Sequence, residues 1–210
     1  MDSARIAELL QPFLLPARPL APGQLQGIST YTDVLLRWNA RINLTAVREP
    51  EEIIRRHFGE SFFTARSLFP DPAAVSASVI DLGSGAGFPG LPIKIWAPGI
   101  HLTLIESNQK KAIFLRELGR ALTLTNVDVF ADRAEDFPGT AEIVTLRAVE
   151  RFESTLPIAA RLLAPRGRLA LLIGEAQLPA ARALLPALAW RDPTPVPLSA
   201  RRILVFADRA

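Results

Sequence analysis

A chain of 210 residues with 49% hydrophobic content is long enough for one full-sized domain with a substantial core and a small appendage, and too short for two large domains. It has no cysteine and two widely separated histidines, which excludes disulfides, thiolate metal sites and a cysteine nucleophile and sets the expectation of no bound metal. The net charge is only +3, and 21 of the 24 basic residues are arginine in an Ala- and Pro-rich chain, so charge alone does not establish a nucleic-acid partner.

The first third has helical spacing. Ile6, Leu9, Leu10 and Phe13 form one apolar stripe, and Ile28, Tyr31, Leu35, Trp38 and Ile42 form another. A third helix is expected after Pro50, whose fixed φ suits a first turn that also holds Glu51 and Glu52. Residues 1–69 are therefore read as an N-terminal helical cap. A turn-rich joint, "PDPAAVSAS", follows from Pro70 to Ser78. Beyond it, short apolar runs at Val79–Leu82, Leu102–Glu106, Val127–Ala131, Ile143–Leu146 and Leu169–Ile173 alternate with helical stretches, which implies a parallel sheet covered on both faces. "LAWRDPTPVPL" and "RRILVFAD" lie close together with no helix between them, so an antiparallel pair is expected to end the chain, its last strand at Ile203–Phe206. Residues 70–210 make the α/β domain, with the cap packed on it as one unit. No apolar run approaches the roughly 18 residues that a membrane span requires. The N-terminus, Met1-Asp2-Ser3-Ala4-Arg5, lacks a secretory layout, and a cytoplasmic, monomeric protein off the membrane is expected.

"VIDLGSGAGFPGLPIKIW", Val79 to Trp96, carries glycine at 83, 85, 87 and 90 where a strand turns into a helix, a backbone bare enough for close ligand contact. Residues 85–90 satisfy the dinucleotide fingerprint, and Glu106, at the end of the second strand, sits where an acid that binds a ribose belongs. An adenosine ribose is held this way in NAD enzymes and in S-adenosylmethionine (SAM) enzymes alike. Three features favour SAM. Asp81 lies inside the strand tip, where it would repel a pyrophosphate but can satisfy the ammonium of a methionine moiety or ordered water around it; no hydride-transfer apparatus is apparent; and the terminal strand pair suits a Rossmann-like seven-stranded methyltransferase sheet. A P-loop is excluded, because no Gly-Lys-Ser/Thr follows the glycines.

"WNARINLTAVREPEEIIRRHFGES" (Trp38 to Ser61), the glycine loop, "LIESNQKKAIFLREL", "DRAEDF" and "LRAV" resemble, in order, the motifs of the RsmG or GidB family, bacterial methyltransferases that form N7-methylguanosine in 16S ribosomal RNA of the small subunit. The resemblance runs from about residue 25 to 175 and implies SAM contacts from Gly83, Phe88, Ala134, Glu135 and Arg147. Asp81, Gly85 and Glu106 join them on the physical grounds above. Asp132 or Glu135 is the natural acceptor for the adenine amine. Arg147 ends the fourth strand, where open α/β sheets bind ligands, and is a catalytic candidate. His57 is the other, either bonded to the substrate guanine or wedged between layers.

The residues narrow the chemistry as well. Without cysteine, pyrimidine C5 methylation has no nucleophile. Thr145-Leu146-Arg147-Ala148 replaces the Asn/Asp-Pro-Pro-aromatic turn used on exocyclic amines, and Lys94, Lys110 and Lys111 are not at a later strand end, where a base for a ribose hydroxyl would stand. Guanine N7 needs no base, so positioning supplies most of the catalysis. Arg37, Arg41, Arg48, Arg55 and Arg56 are candidates for phosphate contact, while Trp38, on its apolar stripe, belongs to packing rather than stacking. Two departures from the family pattern stand out: Ile173 where the family has lysine, with Arg166 or Arg168 as the candidate compensating cation, and Glu60 where it has aspartate. The alternatives are SAM-dependent transfer to a small molecule or protein, an NAD-linked oxidoreductase and a non-catalytic RNA-binding module.

Overall fold

The computed structural model describes the chain except residues 16, 17, 74 and 150, so one residue of the expected joint, 74, lies outside the described residues. Five strands expected from short apolar runs are present: β1 (Ser78–Leu82), β2 (His101–Ile105), β3 (Val127–Phe130), β4 (Ala141–Arg147) and β5 (Leu163–Gly174). They pair in parallel in the order β3-β2-β1-β4-β5. Both faces of this sheet are covered, which is why its strands read as continuous apolar runs rather than as alternation.

The seventh position in the sheet is split. β8 (Arg202–Asp208) runs antiparallel to β5, and its other edge takes two short strands, β6 (Ala189–Trp190) and β7 (Thr194–Pro195). Trp190 stands opposite Ala207 and Thr194 opposite Leu204, so the outer side carries one residue more than β8 and bulges at the segment holding Pro193. Eight strands thus occupy the seven positions expected of this sheet.

Successive strand residues point to opposite faces. Val79, Leu104 and Ile143 enter one apolar cluster with helices α1 (Ser3–Leu14), α2 (Pro22–Asn39), α5 (Gly90–Trp96) and α6 (Gln109–Ala121). Ile80, Ile105 and Val144 enter the other with α7 (Phe152–Arg161) and α8 (Leu178–Leu184). The N-terminal helices therefore share their core with α5 and α6. Tyr31 and Phe58, both fully buried there, contribute on the order of 2 kcal/mol each by leaving water. Among the described residues no helix is long and apolar enough to cross a membrane.

The third helix is not regular. α3 (Pro50–Glu52) opens as expected on proline with two acids in its first turn, then widens into a π-helix, Ile53–Gly59, before α4 (Glu60–Leu68). Such widened turns often mark functional sites, and this one carries His57. Ile42, expected on the α2 stripe, lies past the helix end in a turn folded by Asn39: its Oδ1 accepts from Leu44 N (2.9 Å) and Thr45 N (3.0 Å), and its Nδ2 donates to Thr45 O (2.9 Å).

Candidate active site

Strand order reverses between β1, which leads to β2 on one side, and β4 on the other. A cleft of about 840 Å3 opens at the carboxyl ends of these strands, where open α/β sheets bind ligands. His57, Gly83, Gly85, Phe88, Glu106, Asp132, Ala134, Glu135 and Arg147 all line it.

The glycine loop is pinned from beneath. Gly83, Gly85 and Gly87 have φ of 70°, 53° and 91°, in the left-handed region that glycine adopts without strain. Gly83 N and Ser84 N donate to Ile105 O at 3.0 and 3.1 Å. Tyr31 Oη donates to Ala86 O at 2.6 Å, and its ring stacks on Phe88 with centroids 5.0 Å apart. A Cβ on Gly87 would strike Tyr31 Oη, whereas one on Gly85 would have only Gly83 O within 4 Å, at 3.8 Å. Gly85 is therefore the bare position, and Tyr31, placed by the sequence on a packing stripe, is the loop's support.

Glu106 faces the bare backbone. Its Oε2 accepts from Gly85 N and its Oε1 from Asn108 N, both at 2.8 Å, so the carboxylate is oriented before any ligand arrives. Asn108 in turn caps α6, its Oδ1 accepting from Lys110 N (3.0 Å) and Lys111 N (3.2 Å). Glu135 is engaged by Arg133 at 2.8 Å, while Asp132 accepts from the adjacent Arg133 N.

Asp81 corrects a sequence expectation. It is 1% exposed and does not reach the cleft; its carboxylate accepts from Thr145 Oγ1 (2.7 Å) and Gly90 N (3.2 Å) under the loop. The cause is register: Asp81 lies opposite Thr145 across β1 and β4. Burial pushes its pKa up to about 6 despite those bonds.

His57 corrects another. Its Nδ1 is 3.0 Å from Arg147 Nη2 and its Nε2 is 2.7 Å from Thr45 Oγ1, so neither ring nitrogen is left for a guanine. Burial first, and then the charges of Arg147, Arg56 and Arg202, hold its pKa down to about 3. Arg147, 8% exposed, also donates from Nη2 to Glu60 Oε2 (2.8 Å), and Arg202 Nη1 meets the same oxygen at 2.6 Å. Burial lowers the Arg147 pKa while the Glu60 carboxylate raises it. Arg147 Nε is a buried donor with no partner among the described residues. Thr45, Tyr31, Asn39, Glu60 and Arg202 were not singled out as site residues by sequence: Tyr31, Glu60 and Arg202 act through partners distant in the chain, and Asn39 and Thr45 through a turn whose hydrogen bonds periodicity does not show.

These two shifts give a signed pH dependence. An unfolded chain protonates His57 near 6.5 and the folded one near 3, so this group's stability contribution falls as pH falls through that window. Asp81 works oppositely between about 6 and 3.8, where the folded state holds the extra proton. The stability advantage of wild type over His57→Asn should shrink by on the order of 2 kcal/mol from pH 6.5 to 4. Denaturant melts of both proteins across that range check it; a constant difference would place the imidazole in a more solvated setting.

Residues 24–187 match the family model described as GidB, rRNA small subunit methyltransferase G. The chain belongs to the GidB family. A ribosomal RNA small subunit methyltransferase G from Chloroflexus aggregans is 43% identical over 163 residues, covering 71% of this chain and 67% of the relative. One from Xanthomonas campestris pv. campestris is 40% identical over 169 residues, covering 80% and 74%. Among solved structures, magnesium protoporphyrin IX methyltransferase from Synechocystis PCC 6803 with bound SAM aligns with a TM-score of 0.66 at 15% identity, over 88% of this chain and 97% of that one. TYW2 of M. jannaschii in complex with AdoMet aligns at 0.61 and 16% identity, over 80% and 78%. These two speak for the fold.

The GidB family uses SAM, and the cleft fits it: a bare Gly85 backbone and an anchored acid at Glu106 face a polar ligand. The departures from the family pattern also have structural meaning. Glu60 spans two arginines from one oxygen. Ile173 is 4% exposed in the core, so position 173 here offers no side chain to RNA, and Arg168 is committed to Asp208 at 2.7 Å. Trp38 packs edge-on to Phe114. Arg55 and Arg56 pair with Glu51 and Glu52, exposed pairs weak enough to exchange for phosphate.

Proposed function

We propose that this chain transfers a methyl group from SAM to guanine N7 in 16S ribosomal RNA of the small subunit, acting as a cytoplasmic monomer without metal, with the helical cap (residues 1–69) and α/β domain (70–210) working as one unit. The observation that carries this reading is the occupied imidazole. His57, the histidine in the cleft, has both ring nitrogens bonded and stays neutral to about pH 3, so it is not available as a base. Lys94 is sequestered, its Nζ donating to the Pro98 and Ile100 carbonyls. A nucleophile that needs no deprotonation suits such a site.

Bound in this cleft, SAM supplies an electrophilic methyl. Glu106 holds the ribose hydroxyls, and Gly83, Gly85 and Phe88 shape the approach. Ala134 and the carboxylate of Asp132 or Glu135 meet the adenine, each carboxylate being touched by Arg133 at 2.8 Å. Asp81 fixes the loop from below. Transfer to guanine N7 would break the carbon–sulfur bond of SAM with its electron pair left on sulfur, and would require no proton to be moved by this chain's residues. Arg147, held by Glu60 and His57, orients the base, and Arg202 fixes Glu60 from the other side.

The test is incubation of the purified protein with methyl-labelled SAM and small subunits lacking the modification, followed by digestion to nucleosides. Label in N7-methylguanosine is expected. Label in another nucleoside, or none while SAM still binds, would overturn the substrate.

A further inference from the structure

We propose that Thr45 Oγ1–H is the donor that reads O6 of the target guanine, making Thr45 a specificity-determining residue; this rests on the guanine-N7 reading above. Arg147 is the starting point. A guanidinium has no lone pair, and the two Nη2 protons have Glu60 Oε2 (2.8 Å), His57 Nδ1 (3.0 Å) and Arg56 O (3.2 Å) in reach; a proton on Nδ1 would set donor against donor at 3.0 Å, so Nδ1 accepts. The neutral ring then carries its proton on Nε2 and donates it to Thr45 Oγ1 at 2.7 Å. Val47 N donates to the same oxygen at 3.1 Å.

A hydroxyl has two acceptor positions and one proton. Both acceptor positions of Thr45 are filled, so its O–H must point elsewhere, and among the described residues it has no acceptor. Thr45 lines the cleft on the same side as His57 and Arg147. Its backbone cannot drift, because Asn39 holds Thr45 N and Thr45 O. The polarity is therefore set across the site: Arg147 donates to His57, His57 to Thr45, and Thr45 outward.

That fixed donor matches one base. Guanine presents N7 and O6 as adjacent acceptors on one edge, whereas adenine puts an amine donor beside its N7. With guanine N7 aimed at the methyl group, O6 is the next atom along the edge and accepts from Thr45. Adenine would bring donor against donor.

The experiment measures kcat/KM on ribosomal RNA substrates carrying guanosine or 2-aminopurine at the methylated position; the analogue keeps N7 and lacks O6. Wild type should prefer guanosine by at least about tenfold, and equal turnover overturns the proposal without any variant. Thr45→Val should fall about ten- to a hundredfold on guanosine and no more than about twofold on 2-aminopurine. Thr45→Ser, which keeps the hydroxyl, should lose less than about threefold. SAM affinity should stay within about twofold for both. Equal losses on the two substrates would mean a structural role, and a serine variant as poor as valine would remove the hydroxyl from the argument. Failure of the underlying reading looks different: wild type would then form no N7-methylguanosine on small subunits.

Discussion

Gly85→Val is expected to abolish SAM binding while the chain stays folded. A side chain at position 85 meets open space rather than protein, the nearest atom being Gly83 O at 3.8 Å, so the new methyls occupy the approach to the ligand. At φ of 53°, a β-branched residue is strained by about 1–2 kcal/mol. A domain with roughly 5–15 kcal/mol of stability survives that. Any backbone shift to relieve the strain pulls Gly85 N from Glu106 Oε2, turning the ribose acid out of position. Titration calorimetry should show Kd rising by at least about a hundredfold, near 3 kcal/mol, with a thermal transition still cooperative. Gly87→Ala is the control. Its Cβ would lie 2.5 Å from Tyr31 Oη and 2.7 Å from Leu91 Cδ1, so there stability goes before binding. Unchanged affinity in Gly85→Val would move the ligand off the glycine loop.

The loop was legible in the sequence because its signal is local. Four glycines follow an apolar run, and close approach at a strand end needs nothing from elsewhere in the chain. The strands were legible for a related reason, since coverage on both faces writes itself as continuous apolar residues at Val79–Leu82 and Leu169–Ile173. What periodicity cannot carry is pairing at a distance. Asp81 looked like a ligand contact until β1–β4 register set it against Thr145. Thr45, His57, Glu60, Arg147 and Arg202 converge from separate segments, and a substitution such as aspartate to Glu60 acquires meaning only when one carboxylate oxygen is seen holding two guanidinium groups. The same blindness covers the π-helix: nothing in the spacing of Ile53–Gly59 announces a wider turn.

Arg147→Ala should lower turnover by at least about a hundredfold and, beyond what the sequence suggested, should also weaken the fold. Removing one member of a buried ion pair costs about 3–5 kcal/mol when the remaining charge is stranded. Here Arg202 still holds Glu60 Oε2 at 2.6 Å, which reduces the loss to about 2–3 kcal/mol, or roughly 5–10 °C in Tm for a chain of this size. Arg147→Lys should not restore activity, because an ammonium placed where Nη2 meets His57 Nδ1 and Glu60 Oε2 leaves neither a second terminal nitrogen nor a planar fork to orient a ligand. The imidazole reports the change directly. Burial remains its largest constraint, but loss of the neighbouring guanidinium should let the His57 pKa rise from about 3 toward, without reaching, 6.5, visible as a titrating ring resonance by NMR. It also frees Nδ1 to carry the ring proton, so His57 no longer dictates which way the Thr45 hydroxyl points. Turnover is therefore measured well below the lowered Tm, with SAM affinity alongside. Normal turnover in a destabilised protein would make Arg147 a structural strut; lost turnover with SAM binding intact would assign it to the orientation of the base.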